Sequence, residues 1–487
     1  MDNPPPAEAA PPPAPAPTID YGMLGGDHAL RGQRLFKAGV AALVVLLLYL
    51  VYSAQVDDPL HLAQGIAITI LSVLPALLWA RTGGSRFPVI ETLLLQCMPA
   101  YAFPLLNGSE QLAVYSQEVV TRAGWTVILY LLTANLAYNF SRGRPARGSF
   151  WQETLISPEI EQKIVYGMLL CLLYVAVSEF TTWIPREVAS LLRAIFYGGS
   201  ILCTFVSAQC WGRGELSSGQ KMLFVLTLVP QLILMSVSLI LISAIALLGV
   251  ALLGYVSGGK RIPWVVMVIC FISLAVLHTG KTRMREKYWD GKTPAPSFAE
   301  LPAYFSEWVG YGLAPTSGDK SASQKMLERT SLIHLLCLII NVTPDRQDYL
   351  YGSTYTHVLP QLIPRFFWED KPRSHIATYQ LGIYYGLQRE EDTLSTTIAF
   401  GLLAEAYANF GLVGAVLLGC FWGLTLRKLQ LWSASSPMFS FAGLFMILLT
   451  AWSLNSELTM AAWVSSFFQA VLMVLGAPLL IRSLIGK

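Results

Sequence analysis

Apolar runs of about 17–25 residues recur along this chain, each long enough to cross the roughly 30 Å hydrocarbon core of a bilayer as a helix. They fall near residues 36–54, 62–80, 87–106, 119–140, 163–180, 187–209, 221–238, 240–257, 262–280, 397–426, 438–456 and 460–481. No water is available inside lipid to satisfy backbone N–H and C=O groups, so such runs must close their hydrogen bonds within themselves. Only 13% of the 487 residues are charged, against roughly 25% in soluble domains. The expected fold is an all-α polytopic membrane protein with about twelve transmembrane helices, in a range of about 11–13.

The stretch 221–257 is apolar without a polar break and reads either as one long helix kinked at Pro230 or as two short spans. Orientation favours two. Cations concentrate at alternate connections: Arg31, Arg34 and Lys37; Arg81 and Arg86; Arg142, Arg144 and Arg147; Arg213 and Lys221; Lys260 and Arg261; Arg427 and Lys428; Arg482 and Lys487. The intervening connections carry Asp57, Asp58 and Glu110 instead. The cation-rich side is cytoplasmic, which puts both termini in the cytoplasm if 221–257 crosses twice.

The resulting organisation is a Pro-rich, disordered cytoplasmic tail at 1–35, spans one to nine in 36–280, an extracytoplasmic loop at 281–395, and spans ten to twelve in 396–487. The tail holds eight prolines in its first 17 residues and cannot form a core. The loop carries 26 of the 63 charged residues. Its apolar stretch 331–341 is too short to span and is expected to lie on the membrane surface or under the loop.

A net charge of +3 and the absence of basic runs argue against nucleic acid as a partner. The seven cysteines sit mostly in apolar runs, without metal-ligand spacing, and read as buried hydrophobes. No metal or cofactor is expected.

Two segments concentrate chemistry. Pro360–Pro372 reads PQLIPRFFWEDKP. Its prolines restrict the backbone to an extended, stiff loop. Arg365 and Lys371 are phosphate-binding types, unless they only pair with Glu369 and Asp370. Further on, Glu405 opens a hydrophobic run, where an ionisable group at membrane depth faces a cavity or a partner. It suits a general base or the partner of a loop arginine; the alternative is an interfacial carboxylate held by Tyr407 or Asn409. Gly411 and Gly414 read as a close-packing face. His357 and His375 flank the loop motif, and His357 and Asp370 are further candidate bases. Arg283, Arg285, Arg329 and Arg373 are candidate anion contacts. Trp368, Tyr351 and Tyr355 offer sugar-stacking faces. Asp57 and Asp58 support a competing reading, a glycosyltransferase whose base lies in the first external loop, although a helix-capping role also fits them.

These residues resemble the Wzy-type O-antigen and exopolysaccharide repeat-unit polymerases. Ile363–Pro372, IPRFFWEDKP, is similar to that family's Pro-Arg…Trp…Lys-Pro pattern. Glu405-x-Tyr407-x-Asn409-Phe410-Gly411 is similar to its Glu-x-Tyr-x-Asn-Phe-Gly signature, in the same order and spacing. The similarity covers roughly 345–425. It implies a membrane glycosyltransferase of GT-C type in the bacterial inner membrane, polymerising undecaprenyl-pyrophosphate-linked repeat units at the periplasmic face. Catalytic roles would fall to Glu405, Asp370 or His357. Arg365, Lys371, Arg373, Arg283, Arg285, Arg329, Trp368, Tyr355, Tyr407 and Asn409 would bind substrate. A chain-length regulator and a flippase are the implied protein partners. An O-antigen ligase-type transferase or a lipid-linked sugar flippase would share much of this architecture; the lack of an internal repeat argues against a transporter.

Overall fold

The structure, a computed structural model, describes residues 28–476 apart from 57, 85, 142–148, 182, 185, 290–292, 295, 315–330, 364–367, 369, 395–396 and 435. The expected tail through residue 27, Asp57, Arg142, Arg144, Arg147, Arg329, Arg365, Glu369, Arg482 and Lys487 therefore lie outside the described residues.

Among the described residues, fifteen helices carry the fold. In order they are α1 (His28–Ser53), α2 (Pro59–Arg81), α3 (Val89–Leu95), α4 (Gln117–Phe140), α5 (Val165–Phe180), α6 (Arg186–Arg213), α7 (Ser218–Val237) and α8 (Ile242–Ser257). There follow α9 (Trp264–Tyr288), α10 (Leu301–Leu313), α11 (Ile333–Val342), α12 (Ile376–Tyr384), α13 (Gly401–Ser433), α14 (Phe441–Trp452) and α15 (Met460–Val471). One-turn helices connect several of them. Among the described residues the only strand-like pairing is a single bridge, Thr154 to Ser440.

This is a helical membrane protein. Among the described residues, eight helical stretches are long and apolar enough to cross a membrane: 32–53, 59–81, 89–106, 117–140, 192–213, 218–237, 264–281 and 401–433. The other four expected segments form shorter apolar helices, namely α5, α8, α14 and α15 with its continuation to Gly476. Exposed apolar side chains along α1 and α9, such as Val45 and Phe271, are the surface expected of helices facing lipid.

Local chemistry sets the helix ends. Asp58 caps α2 by accepting a hydrogen bond from the Leu60 N–H at 2.8 Å, and Pro59 supplies the first helical position. This is the capping role weighed for Asp58. Ser217 and Gln220 form a reciprocal capping box at α7. The 221–257 run is two helices: α7 accommodates Pro230 internally and the break falls after Val237, where Leu239 takes a positive φ of 60°.

Helix α9 continues to Tyr288, so Lys281, Arg283, Arg285 and Lys287 ride on its final turns. Its partner α10 packs back against it, with the Trp308 indole N–H donating to Leu277 O at 2.6 Å. Gly280 and Gly312 permit the approach. A Cβ at Gly280 would stand 2.5 Å from Trp308 O.

Three helices run parallel. Contacts between α2 and α4 pair His61 with Thr121 and Leu71 with Asn135. Those between α4 and α13 pair Arg122 with Tyr407 and Ser141 with Arg427. Numbers rise together in both pairs, so the N-terminal ends of α2, α4 and α13 lie at one end of the bundle. The α4–α13 seam closes at Gly419 and Gly423, where a Cβ would stand 2.5 Å from Tyr130 O and from Ala134 O respectively. That is the close backbone contact small residues four apart allow. It is not made by Gly411, which instead kinks α13 (φ 60°, ψ −143°).

At the opposite end, Arg86 pairs with Glu91 at 3.4 Å. The Arg86 and Arg427 guanidiniums lie 5.1 and 5.6 Å from the Tyr138 ring centroid, tying the α2–α3 connection to α4 and α13.

Candidate functional site

The Glu405–Gly411 run forms a buried clamp between α13 and a turn of the loop. Residues 353–357 make one 3-10 turn, entered through Tyr351 and Gly352, both at positive φ (45° and 90°). That turn docks on α13 at the kink. The Leu350 and Tyr351 N–H groups donate to Ala408 O and Asn409 O at 3.0 and 3.2 Å. These carbonyls become available because the Gly411 kink interrupts the helical ladder.

Asn409 is the centre of the clamp and is fully buried. Its Oδ1 accepts from the Gly352 N–H at 2.8 Å. Its Nδ2 donates to Thr354 Oγ1 and to Glu405 O, each at 2.8 Å. Phe410 stacks on Tyr355 with centroids 6.3 Å apart. Gly411 is needed at the kink twice over: its φ is left-handed, and a Cβ there would stand 2.7 Å from Tyr349 Oη.

Glu405 lies one turn inside α13, with 0% of it exposed, rather than at the mouth of the segment. Its Oε2 accepts from the Met460 N–H at 2.6 Å, so it holds the N-terminus of α15, where a carboxylate is favourable. Thr354 lies beside the same carboxylate, although Oε1 has no partner of hydrogen-bonding geometry. Burial, and then the nearby Glu405 charge, push the Tyr355 phenol well above its ordinary range. The carboxylate is closed to solvent here and joins α13 to α15. It is not neutralised by a loop arginine among the described residues.

Lys371 is buried, and its Nζ donates to Gln361 O at 3.0 Å and Ile363 O at 2.8 Å. It therefore braces the loop and does not face outward as an anion contact. Arg285 likewise donates to Leu239 O at 2.8 Å and stacks on Trp289, which closes the α7–α8 turn. Arg283 lies over the Tyr311 ring on the α9–α10 hairpin. The structure does not bring these two arginines to the Asn409 clamp.

His357 is half-buried and contacts Gln380 Oε1 at 3.2 Å, while Gln380 donates to Ser353 Oγ at 2.8 Å. This joins the 3-10 turn to α12. Burial lowers the His375 imidazole below its usual 6.5. Asp370 and Arg373 are exposed, as is Trp368. Of the two readings of the 331–341 stretch, a surface helix or a packed one, burial supports the second: α11 is a ten-residue helix packed against α4 and α13, with Ile333, Leu336 and Ile339 fully buried.

The sequence reading missed Arg122. It is half-buried in the second turn of α4, and its guanidinium lies 3.4 Å from Tyr407 Oη. Tyr349 is a second neighbour of that hydroxyl. The available signal was a lone cation within the apolar run 119–140. Of the possible metal-type donor sets, Glu161, Cys210 and Glu215 converge, but Arg213 already pairs with both carboxylates, at 3.0 Å to Glu215.

Residues 194–470, more than half of the chain, match the family described as domain of unknown function (DUF8712), and the chain belongs to that family. The match includes the loop turn, the Glu405–Gly411 run and α15. No curated protein and no solved structure matches the chain.

Proposed function

We propose that this protein is a bacterial inner-membrane polymerase that joins oligosaccharide repeat units carried on undecaprenyl pyrophosphate. The observation that carries the reading is the Glu405–Gly411 clamp. In the run that resembles the polymerase signature, Asn409, Phe410 and Gly411 fix the 349–357 turn at the end of the α2, α4 and α13 bundle, while Glu405 holds α15 and Tyr407 meets Arg122. A rigid scaffold of this kind is what a surface transfer site needs.

In this reading the chain crosses twelve times in a GT-C-like arrangement, both termini are cytoplasmic, and the loop is periplasmic. The acceptor hydroxyl oxygen attacks the anomeric carbon of the donor glycan. The bond to pyrophosphate breaks and the pyrophosphate leaves with the electron pair. The acceptor proton passes to a base on the loop. Asp370 is exposed and His357 half-buried, so both are better placed for this than the sealed Glu405. Cationic side chains stabilise the charge growing on the leaving group; Arg365 and Arg373 are the loop residues retained for that role. Trp368, 39% exposed, offers a face for a sugar ring.

Glu405, Asn409 and Lys371 support the site without touching substrate. A flippase supplies the lipid-linked units and a chain-length regulator acts on the product. Purified protein in vesicles containing lipid-linked repeat units tests the reading: a ladder of chain lengths supports it. Transfer of one glycan to a different acceptor means a ligase, and lipid movement without transfer means a flippase; either overturns it.

A further inference from the structure

Arg122 is out of place as a structural residue. It is the only cation in the apolar run 119–140. Among the described residues, no carboxylate lies within ion-pair distance of it, whereas Arg86, Arg213 and Lys287 all have one. A guanidinium carries five N–H donors, and its one contact of hydrogen-bonding geometry is with the Tyr407 hydroxyl. A cation in a membrane bundle is costly unless it is paired or serves a ligand.

The surroundings favour an anion. Thr121, one residue earlier, turns to α2, where it meets His61 Nε2 at 2.9 Å. Arg122 turns to α13. Tyr407 lies two residues after Glu405, and two residues rotate a helix by roughly 200°. The carboxylate therefore points to α15 while Tyr407 points to Arg122, and Glu405 does not cancel the charge. The Tyr407 hydroxyl meets the guanidinium, and the Tyr349 hydroxyl lies next to that of Tyr407. The site lies at the bundle end that holds the clamp.

We propose that Arg122, with Tyr407 as its orienting partner, binds the phosphate of a polyprenyl-pyrophosphate-linked substrate. This rests on the polymerase reading and names the group that holds the leaving phosphate from within the bundle. Arginine suits this because its planar fork matches phosphate oxygens two at a time.

The test is binding of polyprenyl pyrophosphate to the full-length protein in phosphatidylcholine nanodiscs, with neutral polyprenol and phosphatidylglycerol as comparisons. The wild type should prefer the pyrophosphate to polyprenol, and the preference should weaken as salt rises. Arg122→Gln should lose about tenfold or more in pyrophosphate binding, the loss expected for one charged hydrogen-bonding partner, with polyprenol binding unchanged. Tyr407→Phe should lose only a few-fold, since the charge remains. Unchanged pyrophosphate binding in Arg122→Gln overturns the inference, as does displacement by phosphatidylglycerol at equal concentration. Should Arg122→Gln not fold, a wild type without salt-dependent preference for the pyrophosphate overturns it equally. A ladder from the wild type with unaltered binding by Arg122→Gln sinks this inference alone. Pyrophosphate binding without a ladder sinks the polymerase reading alone.

Discussion

Asn409→Ala removes the centre of the clamp, and its cost follows from three hydrogen bonds. The Gly352 N–H and Thr354 Oγ1 lose their partner, and each unsatisfied group costs about 1–3 kcal/mol when buried. The bond to Glu405 O adds little, because it supplements the helical ladder. Gly352 is only half-buried, so water recovers part of its loss. The net destabilisation is about 2–4 kcal/mol. At roughly 2 °C per kcal/mol for a large chain, thermal unfolding in detergent should fall by about 4–8 °C. The loop should loosen before the bundle does, so limited proteolysis should cut within 349–357 in the variant and spare the wild type. Asn409→Asp should be at least as damaging: it keeps the acceptor for Gly352, loses the amide donor, and places a second carboxylate near Glu405. An Asn409→Ala protein that unfolds within about 1 °C of wild type and resists cleavage at the turn would refute the clamp.

Three further outcomes are expected. Gly419→Leu should force α4 and α13 apart at Tyr130 and Thr133, and overpacking of this kind costs about 1–3 kcal/mol or more; thermal unfolding of the variant reads it. Lys371→Met should leave Gln361 O and Ile363 O without their ammonium donor and raise cleavage near 361–363, with bundle unfolding little changed. His375 is held below its usual 6.5 by burial, so the unfolded chain binds a proton that the folded chain resists. Stability should thus be complete above pH 6.5 and decline as pH falls below it, and His375→Gln should flatten that slope in pH-dependent unfolding.

The apolar helices were legible because apolar length, like cation bias, is a one-dimensional property. The break in 221–257 was legible for the same reason: only two crossings preserve the alternation of cations, and the chain does break at Leu239. The bracing use of Lys371 was weighed as an alternative, yet two of its contacts are to backbone carbonyls, which no side-chain pattern displays. Arg122 was illegible as a partner of Tyr407 because they are 285 residues apart and meet only through the packing of α4 on α13. Glu405 was read at the mouth of its segment because its burial depends on α15, which is remote in sequence. Of the two glycines read as a packing face, Gly411 instead makes the kink, because a glycine's φ is not written in its neighbours; Gly414 is closely packed against Ala406 O, and the seam with α4 is made by Gly419 and Gly423. Helix α11 was too short to span, and only tertiary contact reveals that it is core.

The central claim is that the clamp supports a site that joins lipid-linked glycans, with Glu405 as a positioning residue. Chain-length analysis of the wild type, Glu405→Gln and Glu405→Ala, each supplied with lipid-linked repeat units, tests it most directly. Gln can still accept the Met460 N–H and Ala cannot, so wild type and Glu405→Gln should both produce a ladder while Glu405→Ala leaves single units. The absence of any ladder from well-folded wild type would contradict the account.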